Sequence, residues 1–365
     1  MKRLTMHRLK WAGGGVALLG VCSAALLFAT NFQLRTIGAN NVQRVSWPTG
    51  TVTAGVTNVT WSLNPSNSIV YTAGTSSGGT TLADESALQS ALVTSFNLWS
   101  GAEYNSARVN TLSFSQGADN TNTAFNSADC VNSIGFTDNL GATGVIAETV
   151  VTSTWETTAG FDYSCTTAPT TRTCPNELCI TDADIEFNPS YRFYTTSYSD
   201  PPSSYFDFET VATHEIGHMF GLDHCALANA IMYPYGDTGT GGIKHSLAID
   251  DVIGSEVMYP SNSILSLVGD IKGTVTVGGS AAFAAHLVAI DSATGNVITD
   301  TLSDNDGNYD LHLFQGNYYV LVVPLATDNS GDSGTNGVTT LHNYAGFATA
   351  YPGITNPTDY TGKYY

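Results

Sequence analysis

His214-Glu215-Ile216-Gly217-His218-Met219-Phe220-Gly221-Leu222-Asp223-His224 is the stretch from which the rest of the chain is best read. Residues four apart share a helix face, so His214 and His218 stand one turn apart with both imidazoles on one side. Two imidazoles so placed can grip one metal ion, and Glu215 stands within reach of a water on it. Gly221 lets the chain leave the helix through a left-handed conformation that only glycine adopts cheaply. The turn brings up His224 as a third nitrogen ligand. Three histidines and an open fourth position are the ligand set of a catalytic zinc, not of a closed structural one. The bland alternative is a chance His-Glu-x-x-His on an ordinary amphipathic helix; Gly221 and His224 weigh against it.

The segment resembles the long zinc-binding motif of the metzincin metallopeptidases. That family carries a methionine turn beneath the metal, and Ala230-Ile231-Met232-Tyr233-Pro234 follows at a suitable distance. The Met-Tyr-Pro form and the lead-in Phe208-Glu209-Thr210-Val211-Ala212-Thr213 are most similar to the matrixin branch. Leu247-Ala248-Ile249-Asp250-Asp251-Val252-Ile253-Gly254, running on to Met258-Tyr259, resembles its C-terminal helix. The resemblance implies an α+β catalytic domain, a twisted mixed sheet with long helices. It also implies that Met232 packs under the metal without ligating it, and that Tyr233, Pro234 and Tyr235 wall the pocket for the residue after the cut bond. Two departures stand out. Cys225 follows the third histidine where matrixins generally have Ser or Thr, and no histidine lies between Arg8 and His214 to hold the family's second, structural zinc. The lead before the catalytic region also leaves no room for the usual cysteine-bearing prodomain.

At 365 residues the chain can bury two cores, and 42% hydrophobic residues exclude wholesale disorder. A formal net charge of −19 repels polyanions, which argues against a nucleic-acid partner. Lys2, Arg3, Arg8 and Lys10 precede an uncharged run from Trp11 to Ala29, the pattern of a secretory signal. The run is also about long enough for an uncleaved anchor. Cys22, preceded by Val21, does not fit a lipoprotein site. Export favours disulfides among Cys130, Cys165, Cys174, Cys179 and Cys225, and an odd number leaves one thiol over. A cysteine zinc site is disfavoured because these cysteines do not form paired C-x-x-C units.

The pattern divides the chain into 1–30, a signal or anchor; 31–45, a short flexible lead; 46–262, the catalytic region; 266–326, a β module; and 327–365, a Gly/Thr/Tyr-rich tail. Val56 to Leu63 alternates as a half-buried strand does. Leu82 to Gly101 reads as a helix with Leu88, Leu92, Phe96 and Trp99 on one face, and Asp207 as the cap of the active-site helix. Further strands are expected at 112–114, 132–136, 144–152 and 180–188. Asp182, Asp184 and Glu186 are candidate calcium ligands, against a plainer reading as solvent-facing strand positions. Gly236 to Gly242 reads as a mobile loop, and Asp250 and Asp251 as acids at a helix N-terminus, a simpler role than pairing with an incoming amine. After Pro260 come short strands and tight turns, with Asp306-Gly307-Asn308-Tyr309 a hairpin signal that explains Asp304 and Asp306 more simply than calcium binding does. This part resembles the small transthyretin-like β-sandwich modules, similar to the regulatory domain of carboxypeptidases. Fold analogy assigns it binding of a protein or surface ligand, positioning or stabilisation. His286 and His312 read as ordinary strand residues.

The expected chemistry is zinc-assisted hydrolysis of internal peptide bonds in protein or peptide substrates, with Glu215 as general base. Two other classes compete: a non-catalytic exported adhesion protein, against which the intact Glu215 argues, and a carboxypeptidase or amidase, against which the spacing of the metal motif argues.

Overall fold

The computed structural model describes residues 34–36, 42–47, 57–64, 70–71, 85–121, 125, 129–136, 140, 144–155, 178–195, 203–325 and 361–364. The signal or anchor, Cys165, Cys174 and most of the tail lie outside them. Among the described residues no helix is long and apolar enough to cross a membrane.

In chain order the elements begin with β1 (Leu34–Thr36), β2 (Val42–Ser46), β3 (Thr57–Asn64), β4 (Val70–Tyr71), α1 (Glu85–Ser100), β5 (Glu103–Tyr104) and β6 (Ala107–Arg108). Then come β7 (Leu112–Gln116), β8 (Asn132–Phe136), β9 (Ala147–Trp155), β10 (Leu178–Phe187), β11 (Phe193–Tyr194), β12 (Phe206–Asp207), α2 (Phe208–Met219) and α3 (Ile249–Met258). The remainder is all strand: β13 (Val268–Thr274), β14 (Thr276–Val277), β15 (Ser280–Ala281), β16 (Ala285–Asp291), β17 (Val297–Leu302), β18 (Asn308–Phe314), β19 (Tyr318–Pro324) and β20 (Lys363–Tyr364).

The main sheet runs β1-β2-β10-β8-β3-β7, with β9 on the far edge of β10. Strands β2, β10, β8, β3 and β7 pair in parallel, whereas β1 and β9 are antiparallel to their neighbours, so the sheet is mixed. Among the described residues strand β9 pairs only with β10, and its other edge borders the cleft described below. The segment expected to be a flexible lead is corrected here: Leu34–Thr36 and Val42–Ser46 are strands, and β2 joins the main sheet through β10.

Helix α1 forms where its apolar residues recur at the helical period, and Leu88, Leu92, Phe96 and Trp99 are all buried. Burying each contributes about 2 kcal/mol. Phe96 stacks on Trp61 of β3 at 4.8 Å, and Trp99 meets Phe220 edge-on at 4.8 Å. Trp99 Nε1 also donates to Thr213 O, which fixes α1 against α2 just before the first histidine.

The C-terminal strands form a β13–β18 pair and a sheet ordered β17-β16-β19-β20. Leu287 and Ala289 of β16, Leu311 and Leu313 of β18, and Val320 and Val322 of β19 share one apolar cluster, so the two sheets face each other. Asp304 Oδ1 accepts from Asp306 N and Asn308 N, which settles its role as a hairpin residue.

This module is fastened to the back of the catalytic region. Val252 and Ile253 of α3 pack with Phe314 of β18, and Tyr104 stacks on Phe314 at 3.7 Å. The expectation that His286 and His312 are ordinary strand residues is corrected by their partners. His312 Nε2 lies 2.7 Å from Glu256 Oε2 on α3, and its Nδ1 lies 2.6 Å from Asp270 Oδ1. His286 Nε2 lies 2.6 Å from Asp300 Oδ2. Sequence could not show this, because the facing acids lie 14 positions from His286 and 42 and 56 positions from His312, and strand and helix packing bring them together.

Candidate metal centre and cleft

Helix α2 starts on Asp207, whose Oδ1 accepts from Thr210 N at 2.7 Å, so the expected cap is in place. The helix ends at Met219, and Gly221 takes φ +105°, the left-handed turn that swings the chain back. As a result His218 Nε2 lies 3.1 Å from His214 Nε2 and 3.2 Å from His224 Nε2.

The other ring nitrogens decide what those three atoms can do. His214 Nδ1 lies 2.7 Å from Ile231 O, and His218 Nδ1 lies 2.8 Å from Leu222 O. A carbonyl only accepts, so both Nδ1 atoms carry the proton and both Nε2 atoms present lone pairs. Burial, with the neighbouring imidazoles adding to it, pushes His214 down to about 3 and His218 well below its usual range. Neutral rings with facing lone pairs repel unless a cation lies between them. Zinc with nitrogen ligands at ~2.0–2.1 Å in tetrahedral geometry sets neighbouring nitrogens ~3.3 Å apart. The donor type, the tautomers and the spacing therefore all fit a zinc ion.

The methionine turn lies directly beneath. Met232 is fully buried, and a Cβ added at Gly217 would collide with its Sδ. Glycine at that position is what lets the turn press against the helix. Asp251 holds the turn from the other side: its carboxylate accepts from Ile231 N at 2.9 Å, Met232 N at 3.1 Å and Ala248 N at 2.8 Å. Burial raises Asp251 to about 6, and the three N–H donors oppose that rise. Asp251 thus does more than the helix-end role expected of it. It ties α3 to the turn whose Ile231 carbonyl orients His214. Asp250 likewise reaches outward and accepts from Thr299 Oγ1 of β17 at 2.6 Å.

Glu215 is buried beside the triad, and Thr149 Oγ1 of β9 lies 2.7 Å from its Oε2. Burial pushes Glu215 up to about 8, and the Thr149 hydrogen bond opposes that rise. Thr149 was not singled out from the sequence; its link to Glu215 spans 66 positions and exists only once β9 lies over α2. Cys225 is a free, fully buried thiol. Its sulfur lies within 4.8 Å of carboxylate oxygens of Asp250 and Asp300. Burial first, then those acids, hold its pKa well above the usual value, so it sits there as an uncharged packing residue.

The triad opens into a cleft of ≈ 720 Å³ bounded by β9, α2 and the chain after the methionine turn. Tyr233, Pro234 and Tyr235 are among the residues that line it. The glycine-rich stretch expected to be a mobile loop is anchored. Thr238 Oγ1 donates to Ser203 O, Gly239 N to Tyr205 O, and Tyr194 OH to Gly239 O.

Asp182, Asp184 and Glu186 of β10 are buried, which corrects their plainer reading as solvent-facing positions. Ser133 N donates to Asp184 Oδ1, while Asp184 Oδ2 and Asp182 Oδ1 have no hydrogen-bond partner among the described residues. Burial, with the neighbouring acid Asp129 adding to it, raises Asp182 to about 7. Burial also raises Asp184, to about 8, against the pull of Ser133 N.

Comparison with known proteins places this geometry in context. The matrixin model of peptidase family M10 matches residues 65–260. Metalloendoproteinase 2-MMP of Arabidopsis thaliana is 46% identical over 56 residues, 15% of this chain and 14% of that protein. Metalloendoproteinase 1 of Glycine max is 47% identical over 62 residues, 17% of this chain and 20% of its own length. Karilysin of Tannerella forsythia is 43% identical over 53 residues, 14% of this chain and 10% of that protein. The aligned stretches therefore span a fifth or less of these relatives.

Proposed function

Since the chain belongs to the matrixin family, we propose that it is a zinc-dependent endopeptidase in which His214, His218 and His224 hold one metal ion and Glu215 moves the proton. The observation that carries this reading is the meeting of three imidazole Nε2 atoms at 3.1 and 3.2 Å beside a buried carboxylate. Zinc in that place supplies Lewis acidity, which makes water nucleophilic near neutral pH and polarises a carbonyl.

The chain's own residues do the rest. Glu215, kept basic by burial, takes the proton from the attacking water at its carboxylate and returns it to the departing amine. Thr149 holds that carboxylate in one rotamer by bonding Oε2. Ile231 and Leu222 carbonyls keep His214 and His218 in the tautomer that leaves Nε2 free. An extended substrate adds to the free edge of β9 through main-chain hydrogen bonds. Its side chain after the cut bond enters the cleft past Tyr233, Pro234 and Tyr235.

Calcium at Asp182, Asp184 and Glu186 belongs to the same reading, supported by the burial of all three and by Asp182 Oδ1 and Asp184 Oδ2, which have no hydrogen-bond partner among the described residues. Export through the 1–30 segment is supported by its charge pattern and by the half-cystines at Cys130 and Cys179. Residues 266–326 are read as a transthyretin-like sandwich that braces the catalytic region, supported by its ties to α3.

The test is digestion of a denatured protein by wild type and Glu215→Ala, with and without chelator, followed by mapping of the products. Internal cuts that vanish with chelator and fall by about 10²–10⁴ in Glu215→Ala are expected. Terminal trimming alone, or no cutting by metal-loaded wild type, overturns the reading.

A further inference from the structure

The chain carries 31 acidic against 12 basic residues, yet one cation lines the cleft. Among the described residues Lys244 is the sole lysine or arginine of its walls, in company with Glu148, Glu215, Asp223 and Asp237. Its Nζ donates to Ala228 O at 2.8 Å and to Ala230 O at 2.9 Å, and it stands 5.5 Å from the centre of the Tyr233 ring. An ammonium has three donors, so one stays unused among the described residues. No carboxylate there comes within ion-pairing distance of it. The nearby acids have other duties: Asp251 accepts from three backbone N–H groups, Asp207 pairs with His245, and Asp237 is exposed. A half-buried cation held by two carbonyls and an aromatic face, with no carboxylate at ion-pairing distance among the described residues, is a site that attracts a negative charge.

Its position says which part of a substrate meets it. Lys244 N is 2.8 Å from Thr210 Oγ1. Thr210 precedes His214 by one helical turn, which is ~5 Å along α2. Thr210, Val211 and His214 all line the cleft on that face. The bond to Thr210 places only the Lys244 backbone; its ammonium lies at the Ala228 and Ala230 carbonyls just ahead of the methionine turn, 5.5 Å from the centre of the Tyr233 ring, and so marks the Tyr233 end of the cleft.

We propose that Lys244 makes this end of the cleft a carboxylate receptor, so that glutamate or aspartate is preferred as the residue following the cleaved bond. The proposal rests on the endopeptidase reading for the cut, while the receptor itself is a property of the cleft. A carboxylate can come from a side chain or from a chain terminus. The side chain is the source chosen here, because the main chain of a substrate is engaged along β9.

The test uses quenched-fluorescence peptides, amidated at the C-terminus and differing only in Glu, Gln or Leu after the cut bond. A free-acid peptide forms a separate arm for the terminal carboxylate. The full-length protein is compared with Lys244→Met and Lys244→Arg, and binding of the Glu and Gln peptides to Glu215→Ala is measured by calorimetry. Expected is a kcat/KM ratio for Glu over Gln of about ten in wild type at low salt, shrinking toward one in about 1 M NaCl. The ratio is retained in Lys244→Arg and falls to one or below in Lys244→Met. A wild-type ratio of one, or a ratio that survives Lys244→Met in a protein with a native-like melting curve, overturns it. If Lys244→Met does not fold, the wild-type ratio and its salt dependence decide. Preference for the free-acid peptide alone reassigns the receptor to a chain terminus and sinks the side-chain proposal. Selective binding of the Glu peptide without any cleavage by wild type sinks the endopeptidase reading and leaves the receptor standing.

Discussion

Raising the pH should loosen the join between the C-terminal module and the catalytic region, through His312. As an imidazolium it donates from both nitrogens, to Glu256 Oε2 at 2.7 Å and to Asp270 Oδ1 at 2.6 Å. A neutral ring has one N–H and must leave one of these carboxylates facing a lone pair. Burial pulls the pKa of His312 down, but its hydrogen bonds to Asp270 and Glu256 outweigh that and hold it at about 9, against 6.5 for the free side chain. At about 1.4 kcal/mol per pH unit this difference corresponds to ~3 kcal/mol. The side chain is 20% exposed, so solvent screening brings the figure to ~2 kcal/mol. Folding raises the pKa, so the stabilisation is complete below about pH 6.5 and is lost as pH rises through about 9. For a chain of this size that amounts to a melting shift of ~3 °C. The assay is thermal unfolding of wild type and His312→Gln from about pH 6 to 10. Wild type should melt ~3 °C higher near pH 6.5, and the two curves should converge near pH 10. A gap that stays constant across that range would falsify the imidazolium clamp.

Three further outcomes follow from other contacts. Thr149→Val removes the hydrogen bond to Glu215 Oε2, and kcat should fall by ~5-fold with metal content unchanged; an unaltered kcat with full zinc refutes the positioning role. Gly217→Ala forces a Cβ into Met232 Sδ and against Trp99 Cζ2, so it should cost ~1–3 kcal/mol in denaturant unfolding and weaken zinc retention in chelator competition. Asp182 and Asp184 have folded-state pKa values raised to about 7 and about 8, above those of the unfolded chain, so calcium-free protein should lose stability as pH rises from about 4 to about 8. Calcium should then raise the melting temperature more at pH 8 than at pH 5, and an equal effect at both would remove these acids as its ligands.

The local code of this protein lies in its sequence. Helix α1 follows the spacing of Leu88, Leu92, Phe96 and Trp99, and α2 starts on Asp207 and ends before a glycine at φ +105°. His214, His218 and His224 lie within eleven residues, so helix geometry and one turn suffice to bring them together. What the sequence left undecided depends on partners distant along the chain. Thr149 meets Glu215 only because β9 crosses α2, and Lys244 becomes the cation of the cleft only when it folds back onto Thr210 and Ala230. Alternation along β10 suggested a wet face for Asp182, Asp184 and Glu186, but burial depends on what covers a strand, which periodicity does not report. His286 and His312 looked ordinary for the same reason: their acids come from neighbouring strands, Asp300 of β17 and Asp270 of β13, and for His312 also from Glu256 of α3, and tertiary structure alone supplies those pairings.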